Sequence, residues 1–444
     1  MKKSALPKPS VCFYFQVHQP YRLSETSFFN DDPNFDYFKG PSKSTNQFVF
    51  EKVAKKCYIP ATKLILELLK THPEFRVAYS ISGVFIDQCE EFGEIGKQVL
   101  SLFQKIAKTG QAEFLGETYF HSLSFLYAKE EWADQIALHA KKIKTLFGKT
   151  PKIFRNTELI YNNEIAEFIR QMGFHGILAE GWDPLLEGRE PNYVYWPHKM
   201  EIHPEDARIA KKYAIEKVKK QIPVLLKNYK LSDDIAFRFG NKGWKEHPLT
   251  ADKFANWVEA TPADTVNLFM DYETLGEHQW EDTGIFEFLK HLPSKLLEKG
   301  ILFRTPSETL AAFEPKEEYN VPYYLSWADT DRNLSAWLEN DIQKSALGEL
   351  SDFEKKIFSY KQEKNSELQK ILRDFRKLQT SDHLYYMSTK YFNDGDVHKY
   401  FSPYSSDHSP YEAYIHFMNV MRQLRQRLEM YLTSKIKLMK SKKF

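Results

Sequence analysis

The sequence predicts an α/β chain, a β/α barrel over residues 1–310 followed by a helical region over residues 311–444. Three observations carry this reading. Short apolar runs alternate with longer helical patterns through the first 310 residues, a rhythm that gives parallel strands joined by crossover helices. No Gly-x-Gly-x-x-Gly turn follows any of those runs, which removes the main sequence support for a dinucleotide fold. Beyond Pro322 glycine and strand-like runs become scarce and helical faces take over.

The candidate strands are residues 11–17, 75–81, 112–115, 153–155, 176–179, 235–239, 266–270 and 301–303. Helical patterns lie between most of them, as at 59–70 and 130–146. Residues 199–221 are dense in Lys, Glu and Asp with sparse apolar spacing, which predicts an exposed helical insertion. Near the end, Leu368, Ile371, Leu372 and Phe375 fall at i, i+3, i+4 and i+7, one face of an amphipathic helix. Tyr414, Met418, Met421, Leu424 and Leu428 repeat that spacing.

Composition narrows the function classes. Of 444 residues, 42% are hydrophobic and 27% charged, enough apolar material for a large core. The 62 basic and 60 acidic residues give a formal charge of +2, too weak a field for nucleic acid as the main partner. A short basic tail (Lys435, Lys437, Lys440, Lys442 and Lys443) reads as a solvated terminus. Cys12, Cys57 and Cys89 are too few and too scattered for a disulfide framework or a Cys-x-x-Cys zinc site, which suggests a reducing compartment. The start reads as a strand and not as a signal peptide, and no apolar run is long enough to span a bilayer. A cytoplasmic location is expected, with no membrane partner. Aromatic residues reach 15% (34 Phe, 25 Tyr, 8 Trp), bulk for a core and flat amphipathic surface for sugar rings.

In a β/α barrel, chemistry collects at the C-terminal ends of the strands. The first strand delivers His18, the third Glu117, Tyr119 and His121, and the fourth Asn156 and Glu158. Residues 266–270 run into Asp271, then Glu273, Glu277 and His278. A carboxylate at the lip of an apolar strand is costly to desolvate unless paired or used. Asp271, Glu273, Glu277 and His278 match neither the calcium-loop nor the His-Glu-x-x-His zinc spacing, so no metal is assigned. Two carboxylates at one mouth suit glycosyl transfer, one attacking the anomeric carbon and the other protonating the leaving oxygen. Arg155, close to Glu158, is placed to hold such a nucleophile ionised.

Five ordered segments then carry a resemblance: VCFYFQVHQPYRL (11–23), GQAEFLGETYFH (110–121), FRNTELIY (154–161), FMDYETLGEHQ (269–279) and YLSWADTDR (324–332). They resemble the conserved segments of glycoside hydrolase family 57. SDHLYYM (381–387) and DGDVH (394–398) are similar to its α-amylase branch. The resemblance implies an incomplete seven-stranded (β/α) barrel, a retaining mechanism on α-glucans, Glu158 as nucleophile and Asp271 as acid/base, without metal or cofactor. Many members carry histidine where this chain has Gln16, a difference that reads as a branch marker. On this basis His18, Gln16, Glu117, His121, Arg155 and His278 are expected in the substrate groove, with Trp182, Trp244 and Trp327 as sugar platforms. The expected activity is that of an α-amylase on α-1,4 links. The alternatives are a 4-α-glucanotransferase or branching enzyme, a non-catalytic glucan-binding homologue, and a metal-dependent deacetylase or mannosidase.

Overall fold

The computed structural model describes residues 9–30, 32, 35–390 and 409–441, with side chains to residue 436. The segment 394–398 and the tail beyond Ile436 therefore lie outside the described side chains. The described residues contain ten strands: β1 (Ser10–Val17), β2 (Val77–Ile81), β3 (Ala112–Phe114), β4 (Ile153–Phe154), β5 (Gly176–Glu180), β6 (Val194–Pro197), β7 (Val224–Lys227), β8 (Thr265–Asp271), β9 (Leu302–Phe303) and β10 (Glu317–Tyr319). One sheet runs β3-β2-β1-β8 with β9 also on β1, and the other runs β10-β6-β7-β5-β4. All pairs are parallel except β6 with β7. β1, β2 and β5 are buried along their whole length, the signature of parallel strands covered on both faces.

Two links stand where the sheets approach one another. A single parallel bridge joins Gly116, just past β3, to Phe154 of β4. On the other side the Asn228 N–H donates to the Asn267 carbonyl at 2.9 Å. One apolar cluster draws on both sheets, from Tyr14, Ala78, Leu115 and Phe269 to Ile153, Leu178 and Leu225. Side chains on a strand alternate, so residues two positions further along point to the same side as this cluster.

Seven of the eight expected strands are found, and the run at 235–239 is not one. Asp234–Arg238 is instead a π-helical turn continuing the helix Tyr229–Asp233, whose first turn is capped by the Asn228 side chain on the Leu231 N–H. Ile235 and Ala236 are adjacent and both buried while Phe237 is exposed, which is not strand alternation. The strand of this region is β7, four residues long and preceded by a charged stretch. β6 and β10 also escaped notice, being short, with Pro197 closing one and Glu317 and Glu318 opening the other. Strands this short, one of them at a sheet edge, carry weak patterning.

The described chain divides into two compact units. The first comprises Met1–Gln19, Phe50–Tyr119 and Ala133–Trp327 and holds every strand. The second comprises Pro20–Val49, Phe120–Trp132 and Ala328–Phe444. Two early segments thus share the second unit with the residues from Ala328 onward. Thr26 is tied to His416 and Asn419, and the Ser381 N–H donates to the His121 carbonyl. In the second unit, helix Ser366–Leu378 buries Leu368, Ile371, Leu372 and Phe375. Helix Pro410–Ser441 buries Phe417, Val420, Met421, Leu424 and Leu428, while Tyr414 and Met418 are half-buried. The 199–221 stretch forms the exposed helix Pro204–Lys212, which buries only Ile209 and Ala210.

Candidate active site

Directly above the apolar cluster the chain changes character. Two residues beyond Tyr14, Ala78, Leu115, Ile153, Leu178, Leu225 and Phe269 stand Gln16, Ser80, Glu117, Arg155, Glu180, Lys227 and Asp271. Seven strand ends thus exchange an apolar side chain for a polar one at the same step. Register confirms three of them as neighbours, since Gln16 pairs with Ser80 on one side and with Asp271 on the other.

Hydrogen bonds knit this layer. Tyr14 Oη donates to Gln16 Oε1 at 2.8 Å, and Gln16 Nε2 donates to Glu117 Oε1 at 3.2 Å. Ser80 Oγ donates to the same Glu117 oxygen at 2.5 Å. Behind Glu117, its own N–H donates to His139 Nδ1, while His139 Nε2 faces the Ile81 carbonyl at 2.8 Å. Those two partners put the ring proton on Nε2 and leave the imidazole neutral. Burial pushes the Tyr14 hydroxyl far above its ordinary range, and its charged neighbours Arg155, Glu117 and Asp271 act on it in turn.

Glu158 sits on a local turn after β4. Its backbone is left-handed (φ 56°, ψ 26°), as is that of Leu159 (φ 54°). For residues other than glycine such conformations cost of order 1–3 kcal/mol each, and they persist where surroundings dictate them. Here Asn156 Nδ2 donates to the Ile160 carbonyl and the Thr157 and Thr118 hydroxyls meet at 2.9 Å. An antiparallel bridge between Tyr161 and Leu325 then brings Trp327 alongside. Trp327 Nε1 donates to Glu158 Oε2 at 3.0 Å, and the Trp327 N–H to the Glu158 carbonyl at 3.3 Å. The Arg155 guanidinium lies 4.7 Å from the centre of that indole and Lys227 Nζ lies 5.3 Å from it. Arg155 is fully buried, and none of its three guanidinium nitrogens has a hydrogen-bond partner.

The β8 end is built from acids. Glu273 is buried and takes a 2.5 Å hydrogen bond from Tyr58 Oη. Burial, and after it the Asp271 charge, pushes the Glu273 carboxyl from an ordinary 4.5 up to about 8; Tyr58 and the His18 N–H act against this. His18 Nδ1 meets Ser82 Oγ, the cap of helix Gly83–Glu91, at 2.7 Å.

The expected residues fall into two groups. Gln16, Glu117, Arg155 and Asp271 share the polar layer, with Glu158 and Trp327 bound to it through Arg155, and His18 reaches it through Glu273. The other four have surroundings of their own. His121 belongs to the second unit. Trp244 packs against Trp257 and Arg238 beside a cavity of about 540 Å³ lined by none of the layer's residues. Trp182 is half-buried just past β5 and starts the short helix Asp183–Leu186. His278 is half-buried beside Glu277, and burial pushes its ring down to about 4 with Glu277 opposing. Glu277 itself turns away to Lys52 at 3.0 Å. No cluster of three or more His, Cys, Asp or Glu placed to hold a metal ion occurs among the described residues. Sequence reasoning missed Ser80, His139, Glu180 and Lys227. The two-residue step past each buried strand residue is the signal that finds all but His139.

The chain belongs to glycosyl hydrolase family 57, whose profile matches residues 12–322, and it is thereby a glycoside hydrolase. A Methanocaldococcus jannaschii protein that bears the provisional name alpha-amylase is 42% identical over 418 residues, covering 93% of this chain and 83% of that one. The fold is similar to the crystal structure of a branching enzyme from Pyrococcus horikoshii (TM-score 0.63, 15% identity, 95% of this chain and 94% of that one). It is also similar to that of 4-alpha-glucanotransferase from Thermococcus litoralis (TM-score 0.59, 18% identity), covering 85% of this chain and 56% of that one.

Proposed function

We propose that this protein is a retaining α-glucan hydrolase of the α-amylase type that cleaves α-1,4 links by double displacement. The observation that supports it most is the contrast at the rim, where Glu158 is held by an indole N–H beside two cations while Asp271 stands next to a second acid. Asp271 gives its proton to the glycosidic oxygen as Glu158 attacks the anomeric carbon, the C–O bond breaks and a glycosyl-enzyme forms. Water then attacks that carbon and returns its proton to Asp271, which frees Glu158. The half-buried His18 offers its ring to sugar hydroxyls, with the buried Gln16 and Glu117 fixing the layer behind it, and the half-buried Trp327 offers a ring face. We further infer that the bridge at Gly116 and the bond at Asn228 close the two sheets into an incomplete (β/α)7 barrel. β1, β2, β3, β4, β5, β7 and β8 are its seven staves. No helix among the described residues is long and apolar enough to cross a membrane. Three free, buried cysteines accord with the cytoplasmic location we propose.

Incubation with maltoheptaose, followed by anomer-resolved NMR, tests the reading. Hydrolysis with retention gives new reducing ends that first appear as the α-anomer. First-formed β-anomer would overturn retention. Level reducing ends with redistributed chain lengths would make the protein a transferase, and new α-1,6 links a branching enzyme. No conversion at all would leave a glucan-binding homologue.

A further inference from the structure

Lys227 takes no part in the reaction proposed above, yet a buried ammonium group is costly to place in the layer. Its side chain is 6% exposed at the end of a strand whose other residues are all apolar. An ammonium group is strongly hydrated, and burying it is unfavourable unless charge partners and hydrogen bonds offset the loss. The chain goes to some length to keep it there. Lys227 Nζ stands 3.2 Å from Asp233 Oδ1 and 3.6 Å from Glu180 Oε2. Glu180 is fully buried, and its Oε1 takes a hydrogen bond from the Gly181 N–H at 2.9 Å. A Cβ at position 181 would lie 2.4 Å from the Lys227 carbonyl, so this approach of β5 to β7 requires glycine. With both acids behind it, Lys227 Nζ also lies within cation–π range of the Trp327 ring.

We propose that Lys227 is a positioning residue that acts on Glu158 through Trp327, an inference that rests on reading Glu158 as the nucleophile. The cation draws π-density from the indole and makes its N–H a stronger donor, as neighbouring charges polarise hydrogen bonds in a low-dielectric interior. The strengthened bond pins Glu158 Oε2. The carboxylate is thereby held in one orientation toward the anomeric carbon. Arg155 reinforces the same ring. Lys227 touches neither sugar nor the reacting atoms. Its removal loosens the nucleophile and leaves substrate binding in place.

The experiment is a double-mutant cycle of Lys227→Met and Trp327→Phe on the full chain with maltoheptaose. Lys227→Met is expected to lower kcat by about 10–100-fold with KM changed less than about threefold, the usual scale for a supporting contact. In the Trp327→Phe background the same change is expected to cost less than about twofold, because the N–H it acts through is gone. Equal losses in both backgrounds would overturn the proposal, as would an unchanged kcat or a raised KM with kcat intact. Lys227→Met leaves Glu180 and Asp233 uncompensated, so Lys227→Met/Glu180→Gln, which removes one charge of each sign, is judged by the same criteria if the single variant fails to fold. Glu158→Gln is the reference. If it retains full turnover, the nucleophile assignment falls; if it is inactive while Lys227→Met is normal, only the present proposal falls.

Discussion

The end of β4 and the end of β8 present the same functional group in opposite surroundings. Glu158 has Arg155 three residues before it and Lys227 nearby, both beside the Trp327 ring that donates to its carboxylate. Asp271 is registered against a neutral amide, Gln16, and its charge falls on the buried Glu273 two residues on. One end gathers positive charge and donors, and the other gathers acids. Fixed cations and donors favour the ionised form of a carboxyl, and two neighbouring acids together favour keeping one proton between them. The difference teaches that acid and nucleophile are assigned by their neighbours, since the residue types alone are interchangeable.

The largest test of this contrast replaces each carboxyl in turn. Glu158→Gln is expected to lower turnover by roughly 10⁴–10⁶-fold on any substrate, because the attacking atom is lost. Asp271→Asn should cost about 10²–10⁴-fold on maltoheptaose. On α-maltosyl fluoride, whose leaving group needs little protonation, Asp271→Asn should still form the glycosyl-enzyme, and azide should release it as a maltosyl azide. Mass spectrometry of the trapped protein and the azide product reads both outcomes. If the two variants respond alike to the fluoride, the two ends do not differ in the way their surroundings suggest.

Arg155 gives the next largest effect and separates chemistry from stability. A buried guanidinium with three unpartnered nitrogens is a burden on the fold. Arg155→Met should therefore lower kcat/KM by about 100-fold while leaving the melting temperature unchanged or raising it. A melting temperature that drops together with activity would show that Arg155 is a structural residue and that the positive character of the β4 end is incidental.

How much of this arrangement can be read in the sequence depends on whether each polar residue follows a clean apolar run. Asp271 directly follows Leu268, Phe269 and Met270, while Glu117 and Glu158 stand shortly after the briefer runs at 114–115 and 153–154. Lys227 and Glu180 are hidden because they are themselves the last residues of their strands, where a charge reads as the start of a loop. The misread strand at 235–239 compounds the loss, because it draws attention past β7. His139 lies on helix Lys129–Phe147, where one polar residue on a periodic face carries no signal. The left-handed turn at Glu158 is invisible too, since neither Glu158 nor Leu159 is a residue type that favours it. Trp244 shows the opposite failure, an aromatic residue whose type suits sugars but whose neighbours are another tryptophan and an arginine.

The acid-rich end makes a smaller prediction about pH. The Glu273 carboxyl rises from 4.5 to about 8 on folding, so the folded protein holds this proton more tightly than the unfolded chain. The stability it contributes is complete below about pH 4.5 and is lost as pH rises to 8. Glu273→Gln should thus shrink the fall in melting temperature between pH 5 and pH 8.5. Part of the fall should remain, because in the second unit burial, with Glu131 and Glu130, pushes Glu354 up to about 7 in the same direction. An undiminished slope in the variant would mean that Glu273 ionises without cost and that the β8 end is not acid-strained.

The smallest effect sharpens that result by using the neighbouring acid as a control. Glu277 presents the same side chain four residues further on, but it is paired with Lys52 at 3.0 Å and Lys56 at 3.7 Å, and both lysines are about one-third exposed. Ion pairs reached by solvent contribute about 0.2–1 kcal/mol, weakened further by salt. Glu277→Gln should therefore lower the melting temperature slightly at low ionic strength and not measurably in 0.5 M salt. It should leave the pH 5 to 8.5 slope and turnover as they are. If it flattened the slope as Glu273→Gln does, the pH response would belong to the summed acidity of the loop after β8. If only Glu273→Gln does so, the response belongs to one desolvated carboxyl beside Asp271, and the two rims differ by burial as well as by charge.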